Sequence, residues 1–109
     1  MALHHVKPGE VADLAPLGSK LCDTKTSALA KSNSFEAIRL VVPAGKEIPA
    51  HDVPGEITLH CLEGRAALQL DRETIELSAG QWAYLEGGQR HTVKGIEDSS
   101  LLLTILFVR

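Results

Sequence analysis

A chain of 109 residues is long enough to bury one hydrophobic core and too short for two, so a single domain is expected. With 44% hydrophobic and 23% charged residues it lies far from the composition of disordered chains. A net charge of −3 without a Lys/Arg stripe argues against nucleic acid as a partner, and the longest apolar run, residues 101–108 broken by Thr104, is too short to cross a bilayer as a helix.

Residues 1–25 carry Pro8, Gly9, Pro16 and Gly18, show no sustained period, and read as an irregular N-terminal arm; residues 26–109 read as the folded domain. Met1 to Lys7 has no long apolar region and no small-residue cleavage site, which predicts a cytoplasmic chain. His4 and His5 read as exposed terminal side chains. Cys22 and Cys61 lie far apart with no CxxC companion, so two free thiols are expected, with Cys61 buried.

From residue 27 onward, short segments alternate with turn residues, the pattern of an all-β sandwich or barrel. Eight strands are predicted, over 27–31, 35–42, 56–62, 66–70, 74–77, 81–85, 91–94 and 101–108. Ser32-Asn33-Ser34, Pro43-Ala44-Gly45, Glu63-Gly64, Asp71-Arg72-Glu73 and Gly87-Gly88 make the turns between them. In the second strand Ile38, Leu40 and Val42 form the inward set. In the third, Ile57, Leu59 and Cys61 share one face, and Glu56, Thr58 and His60 share the other.

Two stretches stand apart: AGKEIPAHDVPGEITLHCLEG from Ala44 to Gly64, and GQWAYLEGGQRH from Gly80 to His91. The spacing of Gly45, His51 and Gly64, and that of Gly80, Gly88 and His91, resembles the paired motifs of the cupin superfamily, in particular its small single-domain bacterial members with an RmlC-like fold. The resemblance covers residues 35–108. It implies an all-β double-stranded β-helix, a jelly-roll barrel of two antiparallel sheets, with a pocket at one end around His51 and His91. It also implies a homodimer, in which the arm would meet a second copy.

Cupins of this kind typically hold a metal through four side chains, and here the set is incomplete. Val53 stands where a second histidine is usual, Ile57 where a glutamate is, Glu86 where a proline is, and Gly95 where an asparagine is. His51 and His91 remain in register. Glu56 and His60 are candidate third ligands, but both have the wrong strand parity; a bulge near Pro54-Gly55 would be needed to turn Glu56 inward. For His60 a place on the outer sheet face, or at a subunit contact, is the plainer reading.

Two imidazoles alone would hold a divalent ion (Zn, Mn, Fe or Ni) weakly, with open positions for water or substrate. The alternative is a metal-free pocket of the kind found in cupins related to epimerases and isomerases. There His51 or His91, with the ordinary histidine pKa of about 6.5, would act as base or hydrogen-bond a small organic ligand. Val53, Ile57, Leu59 and Cys61 would supply apolar walls, and Tyr84 an acid or hydrogen-bond donor, although packing is the plainer reading for Trp82 and Tyr84 alike. A third reading gives the barrel no chemistry and makes it a ligand sensor or an assembly module.

Overall fold

Alternation of apolar and polar residues decides which way each strand of this chain faces. The computed structural model describes residues 5–108, with the side chains at positions 50 and 51 excepted. Its strands are β1 (Ser27–Lys31), β2 (Phe35–Val42), β3 (Glu47–His51), β4 (Ile57–Glu63), β5 (Arg65–Gln69), β6 (Thr74–Ser78), β7 (Trp82–Leu85), β8 (His91–Gly95) and β9 (Ser99–Leu106). They form two antiparallel sheets, one of five strands ordered β1-β2-β9-β4-β7 and one of four ordered β3-β8-β5-β6.

The core lies between the sheets. Leu40 and Val42 of β2, Ile57, Leu59 and Cys61 of β4, and Leu101 and Leu103 of β9 pack against Ala66, Leu68, Leu77 and Val93 of the opposite sheet. These are the inward faces that the alternation predicts, since side chains two apart on a strand share a face. The four glycines that carry the motif spacing, Gly45, Gly64, Gly80 and Gly88, all have positive φ, a backbone state found at no other residue type among the described residues.

The structure adds one strand to the eight predicted. In β3 the sequence Glu-Ile-Pro-Ala-His resists a strand reading because Pro49 has no N–H to donate to a ladder. Two circumstances allow it. β3 is an edge of its sheet, and the register slips between the pairs Ile48↔Val93 and His51↔His91, so that Pro49 and Ala50 together oppose Thr92. That is a β-bulge, placed at Pro49 and not at Pro54-Gly55. β9 also begins earlier than predicted, because buried Ser99 and Ser100 find partners: Ser99 Oγ donates to the Val42 carbonyl at 3.0 Å, and Ser100 Oγ donates to the Glu63 carboxylate.

The arm lies on its own sheet and is better ordered than its composition suggests. Val6 N donates to the Leu29 carbonyl of β1 at 2.7 Å, and a 3-10 helix over Gly18–Asp23 buries Leu21. Arg39 Nη2, from the outer face of β2, donates to the Ala15 carbonyl at 2.8 Å. The Leu17 and Gly18 amides donate to Glu63. These intramolecular bonds hold the segment that the sequence reading sets aside for a second copy.

Candidate functional site

Toward one end of the molecule the two inner faces separate and leave a cavity of about 150 Å³. Ile38 and Leu40 of β2, Leu59 of β4 and Leu103 and Ile105 of β9 wall one side; Ile48 and Pro49 of β3 and Val93 of β8 wall the other. Among the described residues, Thr26 and His91 bring polar side chains to it. His91 opens β8 and is 5% exposed. Its Nδ1 lies 3.2 Å from the Gln89 carbonyl oxygen. A carbonyl can only accept, so this contact puts the proton of the neutral ring on Nδ1 and makes Nε2 its basic nitrogen.

Beside the cavity a groove of about 450 Å³ runs past Val53, Pro54, Gly55 and residues 105–108, and Ile105 lines both. Glu36 stands on this groove. It is half-buried, shares the inward parity of Ile38, Leu40 and Val42, and pairs with Ile105 across β2 and β9. This carboxylate at the mouth is absent from the candidates read from sequence, although the alternation of β2 already places it on the inner face.

The other candidates are dispersed. The backbone of His51 is the register partner of His91, while its side chain, like His4, lies outside the described residues. Glu56 is exposed, ahead of the first residue of β4, and its carbonyl accepts from Leu106 N at 2.9 Å. The Pro54-Gly55 bend leaves the phase of β4 unchanged, with Gly55 pressed so closely on the Leu106 carbonyl that a Cβ would sit 1.7 Å from it. His60, half-buried, pairs with Trp82 and Leu102 on the outer face of the five-stranded sheet, and exposed Tyr84 pairs with Thr58 on that same face. Neither Glu56, His60 nor Tyr84 lines the cavity. Of the expected apolar wall, Leu59 lines the cavity, Val53 lines the groove, and Ile57 and Cys61 are buried in the core. Among the described residues, no three His, Cys, Asp or Glu side chains gather as a metal site would require.

Both cysteines are free, Cys22 exposed and Cys61 buried. The hydrogen bond from Cys22 Sγ to Asp98 Oδ2, 3.5 Å, and the charge of that carboxylate push the Cys22 thiol up; burial pushes the Cys61 thiol up. Both therefore carry less thiolate than an ordinary cysteine. Iodoacetamide at pH 8 should alkylate Cys22 several-fold more slowly than free cysteine and should spare Cys61 until the protein unfolds. Asp98→Asn should speed the reaction at Cys22, and an unchanged rate would remove Asp98 as its cause.

The fold has counterparts among known proteins. The family described as Cupin domain matches residues 38–108. An uncharacterized protein of Aquifex aeolicus (strain VF5) is 30% identical over 66 residues, 61% of this chain and 54% of that protein, so the chain spans about half the length of this relative. Among solved structures, a conserved protein of unknown function from Streptococcus pyogenes aligns over 100% of this chain and 96% of its own, with a TM-score of 0.79 and 21% identity. An RmlC-like cupin family protein with a double-stranded β-helix fold from Methanocaldococcus jannaschii aligns over 93% of each chain, with a TM-score of 0.75 and 18% identity. At such identities the structural likenesses speak for the fold alone. The family match runs from the middle of β2 through the whole of β9, and the chain belongs to the cupin family.

Proposed function

We propose that this cupin binds a small, mostly apolar organic molecule in the cavity between its sheets, with His91 holding the ligand's polar group. The makeup of the cavity supports this reading: about 150 Å³ of space, walled by aliphatic side chains, with Thr26 and His91 the polar side chains among the described residues that line it. A void of that size accepts a body about as large as benzene. Apolar walls supply the binding energy, and a few fixed polar groups supply orientation. With Nδ1 engaged by Gln89, a ligand that presents a hydroxyl or an amide N–H would address Nε2, in competition with the ring's other contact in the ligand-free protein. The same nitrogen could remove a proton from a bound carbon acid, in the manner of an isomerase, and turnover of the ligand would distinguish that role from binding.

A divalent metal at His51 and His91 is the narrower form of this reading, supported by the backbone register that sets the two positions opposite each other. The donor set is short. Two imidazoles leave at least two positions of a tetrahedral ion to water or ligand, and the described residues contribute no cluster to fill them. Such a set does not fit a tightly held Zn, Mn, Fe or Ni ion, so the ligand is taken to meet the His91 ring itself.

Tag-free protein dialysed against chelator should gain thermal stability from benzyl alcohol or benzamide and none from a charged, fully polar solute such as citrate. His91→Ala should weaken binding about tenfold, the loss of roughly one well-placed hydrogen bond. Ile38→Phe, which fills the space, should abolish it. Elemental analysis after offering Zn²⁺, Mn²⁺, Fe²⁺ and Ni²⁺ tests the narrower form: stoichiometric metal lost in both His51→Ala and His91→Ala would replace the direct His91 contact with a metal-mediated one. If no compound of this class binds and neither histidine variant changes ligand or metal content, the pocket reading fails.

A further inference from the structure

A single carboxylate stands on the apolar groove beside the cavity, and no described residue pairs with it. Val53, Pro54, Ile105, Phe107 and Val108 wall the groove, and Glu36 is the one ionisable side chain among the described residues that line it. Glu36 is half-buried, yet no hydrogen bond or ion pair joins its carboxylate to any described residue. Lys31 of β1 is its register partner. That ammonium lies over the Phe107 ring, 6.0 Å from its centroid, makes no ion pair with Glu36, and lines a separate hollow against the arm. A carboxylate among apolar walls gives up part of its hydration, and a cation brought to it supplies the missing partner.

We infer that the ligand is an organic amine: an apolar body in the cavity, joined by a short chain to an ammonium group that Glu36 binds in the groove. The inference rests on the pocket reading above and adds to it the class of ligand, with Glu36 as the residue that sets specificity. Continuity of the two spaces supports it. Ile105 lines both and is the register partner of Glu36 across β2 and β9. Along the inner face of β2 the cavity is lined by Leu40 and Ile38, and Glu36 is the next position of the same parity. At about 3.4 Å per residue, Glu36 stands about 7–10 Å from the part of β2 that walls the cavity. An extended chain of about four methylenes covers that span from the centre of a ring to an ammonium. The sign of the charge follows from the carboxylate, which only accepts hydrogen bonds and repels another anion. The Phe107 ring lines the same groove and already carries the Lys31 ammonium over its face, so the wall beside Glu36 suits positive charge as well.

Phenylbutylamine, phenylbutanol and phenylbutyrate, each with its ring and its functional group at opposite ends of the chain, share one body and differ in terminal charge. Titrated calorimetrically into tag-free protein dialysed against chelator, the amine should bind about fivefold or more tighter than the alcohol, and the acid more weakly than either. Raising salt from about 20 to about 500 mM should shrink that preference. Glu36→Gln should remove it, so that this variant binds amine and alcohol alike, and Glu36→Lys should reverse the order in favour of phenylbutyrate. Glu73→Gln, at an exposed turn, should keep the preference, which separates Glu36 from the general effect of a net charge of −3. Benzylamine, too short to span the two spaces, should bind no better than benzyl alcohol. If the alcohol binds and Ile38→Phe abolishes its binding, but the amine is no tighter, the pocket reading stands and the amine inference falls. An amine preference that survives Glu36→Gln, or phenylbutylamine binding that survives Ile38→Phe, places the cation or the body elsewhere and overturns it equally. If no member of the series binds, the pocket reading fails and the inference fails with it.

Discussion

Gly64→Ala should lower Tm by about 15–25 °C, whereas Gly80→Ala should lower it by about 5–10 °C, although Gly64 closes the first stretch of the motif pair and Gly80 opens the second. The two share a backbone state, with φ of +74° and +89°. An alanine there costs about 1–2 kcal/mol through the approach of Cβ to the following carbonyl. Their surroundings differ. At Gly80 an added Cβ meets nothing within 4 Å, while at Gly64 it would sit 2.0 Å from the Asp98 carbonyl oxygen and 2.9 Å from Ser99 Cα. Backbone cannot rotate aside as a side chain does, so the turn at residues 96–98 must shift, at a further cost of about 1–3 kcal/mol. The damage would spread, because Asp98 Oδ1 accepts from the Ala44 amide at 2.8 Å and Oδ2 touches Cys22. Thermal unfolding of both variants checks this. Equal losses would mean that the 96–98 turn moves without cost, and that φ alone requires glycine at residue 64.

This contrast shows what could be read from the chain and what could not. Glycine spacing is a local backbone property, and the four motif glycines do occupy the turns their positions imply. Alternation is local too: Ile57, Leu59 and Cys61 face inward as written. β3 escapes the reading because Pro49 argues against a strand, and only the tertiary setting, an edge position with a bulge, makes it acceptable. The cavity is partly hidden for the same reason, since Ile48 and Pro49 come from that unpredicted strand and Thr26 from just before β1. His91 is legible through motif spacing, whereas Glu36 is passed over because a glutamate near the start of a strand reads as solvent-facing, despite its inward parity. Tyr84 invites assignment to the pocket because it is aromatic and lies inside the second motif; its pairing with Thr58, on a strand face fixed by buried Leu59 and Leu85, sends it outward. No local signal announces the arm's attachment, which joins residues 46 positions apart in sequence.

That attachment carries the second large effect. Glu63 reads as a turn residue before Gly64, yet its carboxylate accepts from the Leu17 amide at 2.9 Å and the Gly18 amide at 3.1 Å, from the Ser100 hydroxyl, and from Arg39 Nη2 at 3.3 Å. Burial pushes the carboxyl up, but these donors and the Arg39 charge outweigh it and hold Glu63 below the usual carboxylate range. Glu63→Ala should destabilise the fold by about 3 kcal/mol, because it removes the acceptor for the arm's amides and leaves the buried Arg39 guanidinium without its counter-charge. Glu63→Gln keeps the shape and should lose about 1–2 kcal/mol at pH 7. The sign of the pH dependence follows from the direction of the shift. A carboxyl whose folded pKa lies below its unfolded value contributes its full stability above the unfolded value, about 4.3, and loses it as pH falls through the folded one. Wild type and Glu63→Gln should therefore differ in urea midpoint at pH 7 and converge in acid, where Glu63 is itself protonated. Cleavage within residues 5–23 by an acid-active protease should rise in wild type over the same interval, as the arm loses its anchor. A gap between the two proteins that stays constant down to pH 2 would show that the Glu63 charge does not hold the arm, and that its hydrogen bonds alone do.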